Sequence, residues 1–396
     1  MTATTGAFAP GDFFALADFE RAADTVLPSA VRDFVAGGSG AELTLADNRA
    51  AFDRLRITPK VLRDVSDCSC ATTLMGSPAA MPVATAPVGY QKLLHPEGEL
   101  AAARAAAEAG IPFTVGTLSS YTVEEIAAVG ATTWFQLYWL RDREQSFDLV
   151  RRAEDAGCSA VMLTVDVPWM GRRQRDLRNG FALPNDVVAA HLPVGAESAA
   201  HRAASGESAV ARHTAAAFAP SLSWADLAEL RRRTRLPLLI KGVLDPADAA
   251  QAAESGVDGI IVSNHGGRQL DGAVASIDAL AEVCAAVNGR CEVLLDSGVR
   301  SGVDALKALA LGASGVLLGR PLMWGLAMGG AEGVRRVLDL FAAELRDALG
   351  LAGCSGPEDA RTLRVRRDAM AVDRTSTSHA RTTYRDETSG EGTVVR

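Results

Sequence analysis

No stretch of this chain stays apolar for the roughly 20 residues needed to cross a bilayer. Positive charge is not in excess. With 40 Lys and Arg against 48 Asp and Glu, the net charge is −8, which argues against nucleic acid as the main partner. Met1 to Pro10 hold neither a basic stretch nor a hydrophobic core, so no secretory signal is expected. Cysteines are few and scattered, and Cys68-Ser69-Cys70 lacks a second pair at zinc-ligand spacing. Buried or idle thiols in a reducing cytoplasm are therefore expected, with no metal. No repeat of solenoid period is present. What remains is a globular composition, 48% apolar and 22% charged, in 396 residues. That length suits two average domains or one α/β barrel with extensions.

Short β-rich runs alternate with Ala-, Leu- and Glu-rich helical patterns from Met81 onward. The strand candidates are Met81–Gly89, Ile111–Leu118, Trp134–Trp139, Ala160–Asp166, Leu236–Val243, Gly259–Gly266, Cys291–Gly298 and Gly315–Pro321. Each is a nearly continuous apolar run, the mark of a strand buried on both faces in a parallel sheet. Eight successive βα units predict a closed (β/α)8 TIM barrel, with a doubly wound open sheet as the rival. The expected organisation is a helical extension over residues 1–80, a barrel over 81–367 and a disordered tail over 368–396. Phe181 to Pro220 is too long for a structural βα loop and is expected to be a lid or mobile segment.

Barrel enzymes carry their working groups at the C-terminal ends of strands. The candidate strands end in Gln136-Leu137-Tyr138, Thr164-Val165-Asp166, Lys241, Ser263-Asn264-His265, Asp296-Ser297-Gly298 and Gly319-Arg320. The richest is Ser263-Asn264-His265-Gly266-Gly267-Arg268-Gln269. His265 can move a proton near neutral pH, and Arg268 can grip a carboxylate through two parallel hydrogen bonds. Base and anion clamp side by side suit chemistry at the carbon next to a carboxylate. Asp166 can orient His265 or merely cap a helix. Lys241 can form a Schiff base, present a fixed charge to a cofactor ring, or pair with Asp296. Gly298, Arg300, Gly319 and Arg320 in the last two loops form a phosphate-binding pattern. Of Arg172 and Arg173, one is expected to turn inward as a second clamp and Arg172 to stay solvated. His95, His191, His201, His213 and His379 lack such context and are expected in surface or loop roles.

This constellation resembles the FMN-dependent α-hydroxy acid oxidase and dehydrogenase family, which includes glycolate oxidase, lactate oxidase and mandelate dehydrogenase. Besides the Ser263–Gln269 signature, matches include His95-Pro96-Glu97-Gly98-Glu99, Phe135-Gln136-Leu137-Tyr138, Leu163-Thr164-Val165-Asp166, Lys241-Gly242 and Gly319-Arg320-Pro321. The resemblance implies FMN as cofactor, His265 as the active-site base paired with Asp166, and Arg173, Arg268 and Tyr138 around the substrate carboxylate. It further implies that Pro87, Val88, Gly89, Thr117, Gln136, Thr164, Lys241, Ser263 and Asp296 contact the flavin and its ribityl chain. Gly298, Arg300, Gly319 and Arg320 would hold the phosphate.

Three positions depart from many members of that family. Phe34 stands where they have a tyrosine that bonds the substrate carboxylate, Gly116 where they have a serine against the flavin, and Gly89 where they have alanine. Thr117 is expected to replace the serine contact, and Gly89 leaves the route of reoxidation open. Phe34, Leu118 and Met170 are expected to line an apolar side-chain pocket suited to an aryl group. The segments Asp166–Arg173 and Asp176–Pro184 look closest to the mandelate-oxidising branch. The resulting expectation is oxidation of an (S)-2-hydroxy acid, mandelate or 4-hydroxymandelate, to the 2-oxo acid with O2 reduced to H2O2, by a cytoplasmic homotetramer. The rivals are a lactate-type monooxygenase, an FMN dehydrogenase and a flavin-free barrel that binds a phosphorylated sugar.

Overall fold

Eight strands that are apolar on both faces can bury both only by closing on themselves inside a ring of helices. A computed structural model, which describes residues 13–192, 200–202 and 208–368, has this arrangement. Its barrel strands are β4 (Val83–Thr85), β5 (Phe113–Gly116), β6 (Thr133–Tyr138), β7 (Ala160–Thr164), β8 (Leu238–Val243), β9 (Gly259–Val262), β10 (Glu292–Leu295) and β11 (Gly315–Leu318). All run parallel, each beside its neighbour in sequence, with β11 returning to β4. Thr85 completes the ring: its N–H donates to the Pro112 carbonyl at 3.0 Å, and its hydroxyl accepts from the Thr114 N–H at 2.8 Å. All eight strand candidates are strands, and the barrel follows.

Alternate residues face in and out. Ala84, Trp134, Ala160, Met162, Leu239, Ile261, Leu294 and Leu317 fill the interior. Their sequence neighbours, such as Val161, Leu163, Ile240 and Ile260, pack outward against helices. The interior is therefore a packed core, and ligand space is left only at its ends.

Residues 13–80 are more than helical. Helices Leu16–Val26, Ser29–Ala36 and Leu43–Asp53 are followed by β1 (Leu55–Thr58), which pairs antiparallel with β12 (Arg364–Arg367). A hairpin of β2 (Thr72–Leu74) and β3 (Ser77–Ala79) turns at Met75 and Gly76, both at positive φ. Leu74, Met75 and Ala79 insert into the interior cluster, and the Met75 N–H donates to the Glu292 carboxylate at 3.1 Å. The hairpin is the plug at the N-terminal end. Its strands are too short to signal themselves by periodicity.

In the long segment between β7 and β8, residues 193–199 and 203–207 fall outside the described residues. The rest is built: helices Gln174–Asn179, Ala209–Ala217 and Trp224–Arg233, the second capped by the Ser208 hydroxyl. Two histidines expected in surface or loop roles are buried instead. His213 lies on Ala209–Ala217, and His191 packs edge-on against Phe135, 3.3 Å from the Thr117 carbonyl. His379 and the tail from 369 lie outside the described residues. Among the described residues no helix is long and apolar enough to cross a membrane.

Candidate active site

The loop after β9 makes a sharp reversal in which His265, Gly266 and Gly267 all have positive φ (59°, 66° and 73°). Glycine is needed at 267, because a Cβ there would come within 2.7 Å of the Leu45 backbone. The Ser297 hydroxyl pins the reversal, accepting from the Gly266 N–H at 2.9 Å and the Asn264 N–H at 3.3 Å. A second brace comes from helix Leu43–Asp53. Asn48 and Asn264 exchange side-chain hydrogen bonds, Asn48 donating at 2.9 Å and Asn264 at 2.7 Å. Ser297 ends a candidate strand in the sequence, but that it and Asn48 brace this loop is decided by the fold.

His265 Nδ1 lies 3.0 Å from Asp166 Oδ1. A carboxylate only accepts, so Nδ1 carries the proton and Nε2 keeps its lone pair. The Tyr138 hydroxyl stands 3.3 Å from Nε2 and donates to it. Burial lowers the His265 pKa from its ordinary 6.5, against the opposing pull of Asp166. The imidazole is thus held neutral, in one tautomer, ready to accept a proton. Burial, helped by Asp166, also keeps the Tyr138 phenol protonated.

Two guanidinium groups line the same cavity as the imidazole. Arg173 is 8% exposed and faces the cavity, whereas Arg172 is exposed to solvent. Arg268 donates to the carbonyls of Val35 and Gly37, at 3.3 and 2.7 Å. Both cations lie over the Phe34 ring, 5.7 and 5.5 Å from its centre, and Phe34 in turn stacks on Phe181. Burial depresses both pKa values, and mutual repulsion adds to it at Arg268. Buried Arg173 has one carboxylate near it, Asp176 at 4.0 Å, and half-buried Arg268 donates only to carbonyls, so the two cations retain capacity for an anion.

Lys241, at the centre of the barrel mouth, donates to Asp296 Oδ2 and to the Ser263 hydroxyl, each at 2.9 Å. The ion pair among the alternatives for Lys241 is present, and both partners still line the cavity. Burial opposes the ammonium, but Asp296 and Asp166 outweigh it and raise its pKa; Lys241 in turn holds Asp296 ionised despite burial. Beside it, the Gln136 side chain donates to the Thr164 hydroxyl at 2.9 Å and accepts from the Thr117 N–H at 3.2 Å. Gln136, Thr164, Ser263 and Thr117 are buried next to it. The Thr117 hydroxyl donates to the Gln136 carbonyl and accepts from the Tyr138 N–H, so it braces β6 and is not turned to the cavity in place of a serine. A Cβ at Gly116 would sit 3.4 Å from Gln136 Oε1, so space there remains.

The remaining wall is mostly apolar: Phe34, Pro87, Val88, Gly89, Leu118 and Met170, as expected, together with Val210, Thr214 and Phe218 from the segment between β7 and β8. Phe218 stacks on Tyr138 with ring centres 4.4 Å apart. These last three stand far along the chain from any motif, so sequence spacing gives no hint of them. At the far end the cavity meets Gly298, Arg300, Gly319 and Arg320. Arg320 donates only to carbonyls, those of Val35, Gly266 and Gly37, each at 3.0 Å, and burial lowers its pKa to about 9. Arg300 is lowered by burial as well. Cations short of an anion, beside the glycines, fit a phosphate group. The cleft is partly open to solvent and runs from the arginine pair to these glycines.

Gly89 is required by packing. A Cβ there would lie 2.7 Å from Leu118 Cβ and 2.9 Å from its carbonyl oxygen. Gly89→Ala is therefore expected to destabilise the fold by about 1–3 kcal/mol through overpacking. Denaturant titration checks this, and an unchanged midpoint would show that Leu118 yields freely.

Comparison with known proteins agrees with this geometry. A profile described as FMN-dependent dehydrogenase matches residues 23–367. The chain is 58% identical to a 4-hydroxymandelate oxidase of Amycolatopsis orientalis, over 89% of this chain and 98% of that protein. It is 47% identical to an L-lactate oxidase of Nostoc sp., over 87% and 95%. A crystal structure of mandelate oxidase with (S)-4-hydroxymandelic acid superposes with a TM-score of 0.89 at 57% identity, covering 90% of this chain and all of that one.

Proposed function

The chain belongs to the FMN-dependent dehydrogenase family and is an FMN-dependent 2-hydroxy acid oxidase, and we propose that its substrate is an (S)-2-hydroxy acid with an aryl side chain, mandelate or 4-hydroxymandelate. The acid loses two electrons and two protons to become the aryl 2-oxo acid, and O2 takes them up as H2O2. One feature supports this best: the neutral imidazole of His265 and the guanidinium groups of Arg173 and Arg268 line one cavity together with a mostly apolar set of side chains.

Arg173 and Arg268 bind the carboxylate and so fix the carbinol carbon before His265. His265 Nε2 accepts the proton released as the alcohol is oxidised, and Asp166 stabilises the imidazolium that results. Tyr138 is positioned to donate to the reacting oxygen or to the imidazole. Phe34, Leu118, Met170, Val210 and Phe218 enclose the aryl ring and exclude water. Gly298, Arg300, Gly319 and Arg320 would hold the FMN phosphate, and Lys241 would set positive charge near its ring. FMN supplies the two-electron acceptor.

Steady-state turnover of mandelate, 4-hydroxymandelate, lactate and glycolate tests the substrate, with the two aryl acids expected to be preferred. A clear preference for glycolate would overturn the aryl reading. One H2O2 per 2-oxo acid is expected. A decarboxylated acid without free peroxide would indicate a monooxygenase, and no reaction with O2 a dehydrogenase. The same reading takes the protein as a cytoplasmic homotetramer. Exposed Leu43, Trp169, Leu270 and Val274 support association, and the free thiols of all six cysteines support a reducing compartment. A monomer in light scattering would remove the assembly.

A further inference from the structure

Residues 166–173 carry three parts of the site: Asp166 beside His265 at the start, Met170 in the cavity wall, and Arg173 at the end. The segment leaves β7 at Thr164 and reaches helix Gln174–Asn179 only after Arg173. Between them the chain is irregular, and among the described residues 166–171 make no backbone–backbone hydrogen bond. Backbone groups in such a stretch need other partners if it is to hold one shape. The partner here is a side chain from a different strand end, Gln269, which follows Arg268 in the loop after β9.

The Gln269 amide makes three hydrogen bonds to that stretch. Nε2 donates to the Asp166 carbonyl at 2.8 Å and to the Trp169 carbonyl at 2.9 Å, and Oε1 accepts from the Gly171 N–H at 3.1 Å. Both amide hydrogens are thereby used. Two carbonyls at one end and an N–H at the other satisfy only one orientation of the group. The two loops also touch through their backbones: a Cβ on Gly171 would come within 2.5 Å of the Arg268 carbonyl oxygen and 2.8 Å of that of Gln269. Gln269 is itself anchored, since its carbonyl accepts from the Ser39 hydroxyl and the neighbouring Arg268 is tied to the carbonyls of Val35 and Gly37.

His265 and Arg268 come from the loop after β9, whereas Asp166 and Arg173 come from the stretch after β7. The base and its orienting carboxylate are therefore divided between the same two loops as the two halves of the anion clamp. A small slip of one loop past the other would spoil both pairs at once.

Resting on the 2-hydroxy acid reading, we propose that Gln269 is a positioning residue that holds these two loops in register, setting Asp166 against His265 and Arg173 beside Arg268. It acts on the reaction through those two pairs.

The test uses the flavin-loaded enzyme and its Gln269→Glu variant. Glutamate keeps the shape of the side chain and the acceptor for Gly171, but puts an oxygen where the donor faced two carbonyls. Anaerobic bleaching of the flavin at saturating mandelate is expected to slow about 10–100-fold, the scale of a misplacement of about 1 Å. In an Asp166→Asn background the same substitution should cost less than about 3-fold, because members of one network are not additive. Benzoylformate carries the carboxylate, and acetophenone is the same aryl ketone without it. Read from perturbation of the flavin spectrum, benzoylformate should bind about 10-fold more weakly and acetophenone within about 2-fold of the parent. Gln269→Leu removes all three hydrogen bonds at similar volume and without charge, and it serves the same comparisons if the new carboxylate prevents folding. Bleaching at the unmodified rate, an equal loss with and without Asp166, or equal weakening of both ligands would overturn the proposal. If no 2-hydroxy acid bleaches the unmodified enzyme, the reading beneath fails and the proposal falls with it; that failure is separable because it needs no variant.

Discussion

Replacing His265 with glutamine is expected to slow substrate-dependent bleaching of the bound flavin by about 10²–10⁴-fold, the usual contribution of a positioned general base. Glutamine keeps a donor toward Asp166 and much of the volume, so the cavity should survive while the proton acceptor is lost. Stopped-flow reduction with mandelate under anaerobic conditions measures this directly, and bleaching at the unmodified rate would take His265 out of the reaction. A pH dependence accompanies it. Only neutral imidazole accepts the proton, and burial lowers its pKa below 6.5 despite Asp166. Activity should therefore be flat through neutral pH and fall on the acid side, as pH drops through that lowered value. An acid limb centred above 6.5 would contradict the direction of the shift.

Lys241→Met is expected to cost about 3–5 kcal/mol of stability, because it strands the buried Asp296 carboxylate without its cation. The double variant Lys241→Met, Asp296→Asn should regain most of that loss, since a buried pair replaced by neutral groups of similar volume is often near neutral. Denaturant unfolding of the two variants and the parent decides the matter. A single substitution as costly as the double one would show that lysine packing, and not the unpaired charge, accounts for the effect.

The barrel was legible in the chain because its strands are buried on both faces: runs such as Ala160–Thr164 and Gly259–Val262 are apolar without alternation, and eight of them recur between helical stretches. The catalytic pair was legible for a related reason, since His265 and Asp166 each end such a strand and barrel geometry brings strand ends to one rim. The plug hairpin and the β1–β12 ribbon escaped notice. Their strands are three or four residues long, and β12 stands some 300 positions from its partner.

Local composition alone determined the strand count, the proton acceptor, the paired arginines and the glycine-bearing loops, because periodicity and backbone freedom are properties of neighbouring residues. Tertiary structure decided the orientation of each group. It showed that Lys241 is tied to Asp296, that the Thr117 hydroxyl is held by the backbone of β6, and that Leu118 is what forbids a Cβ at Gly89. Such facts depend on distances between residues far apart in the chain, and those distances exist only once the ring has closed.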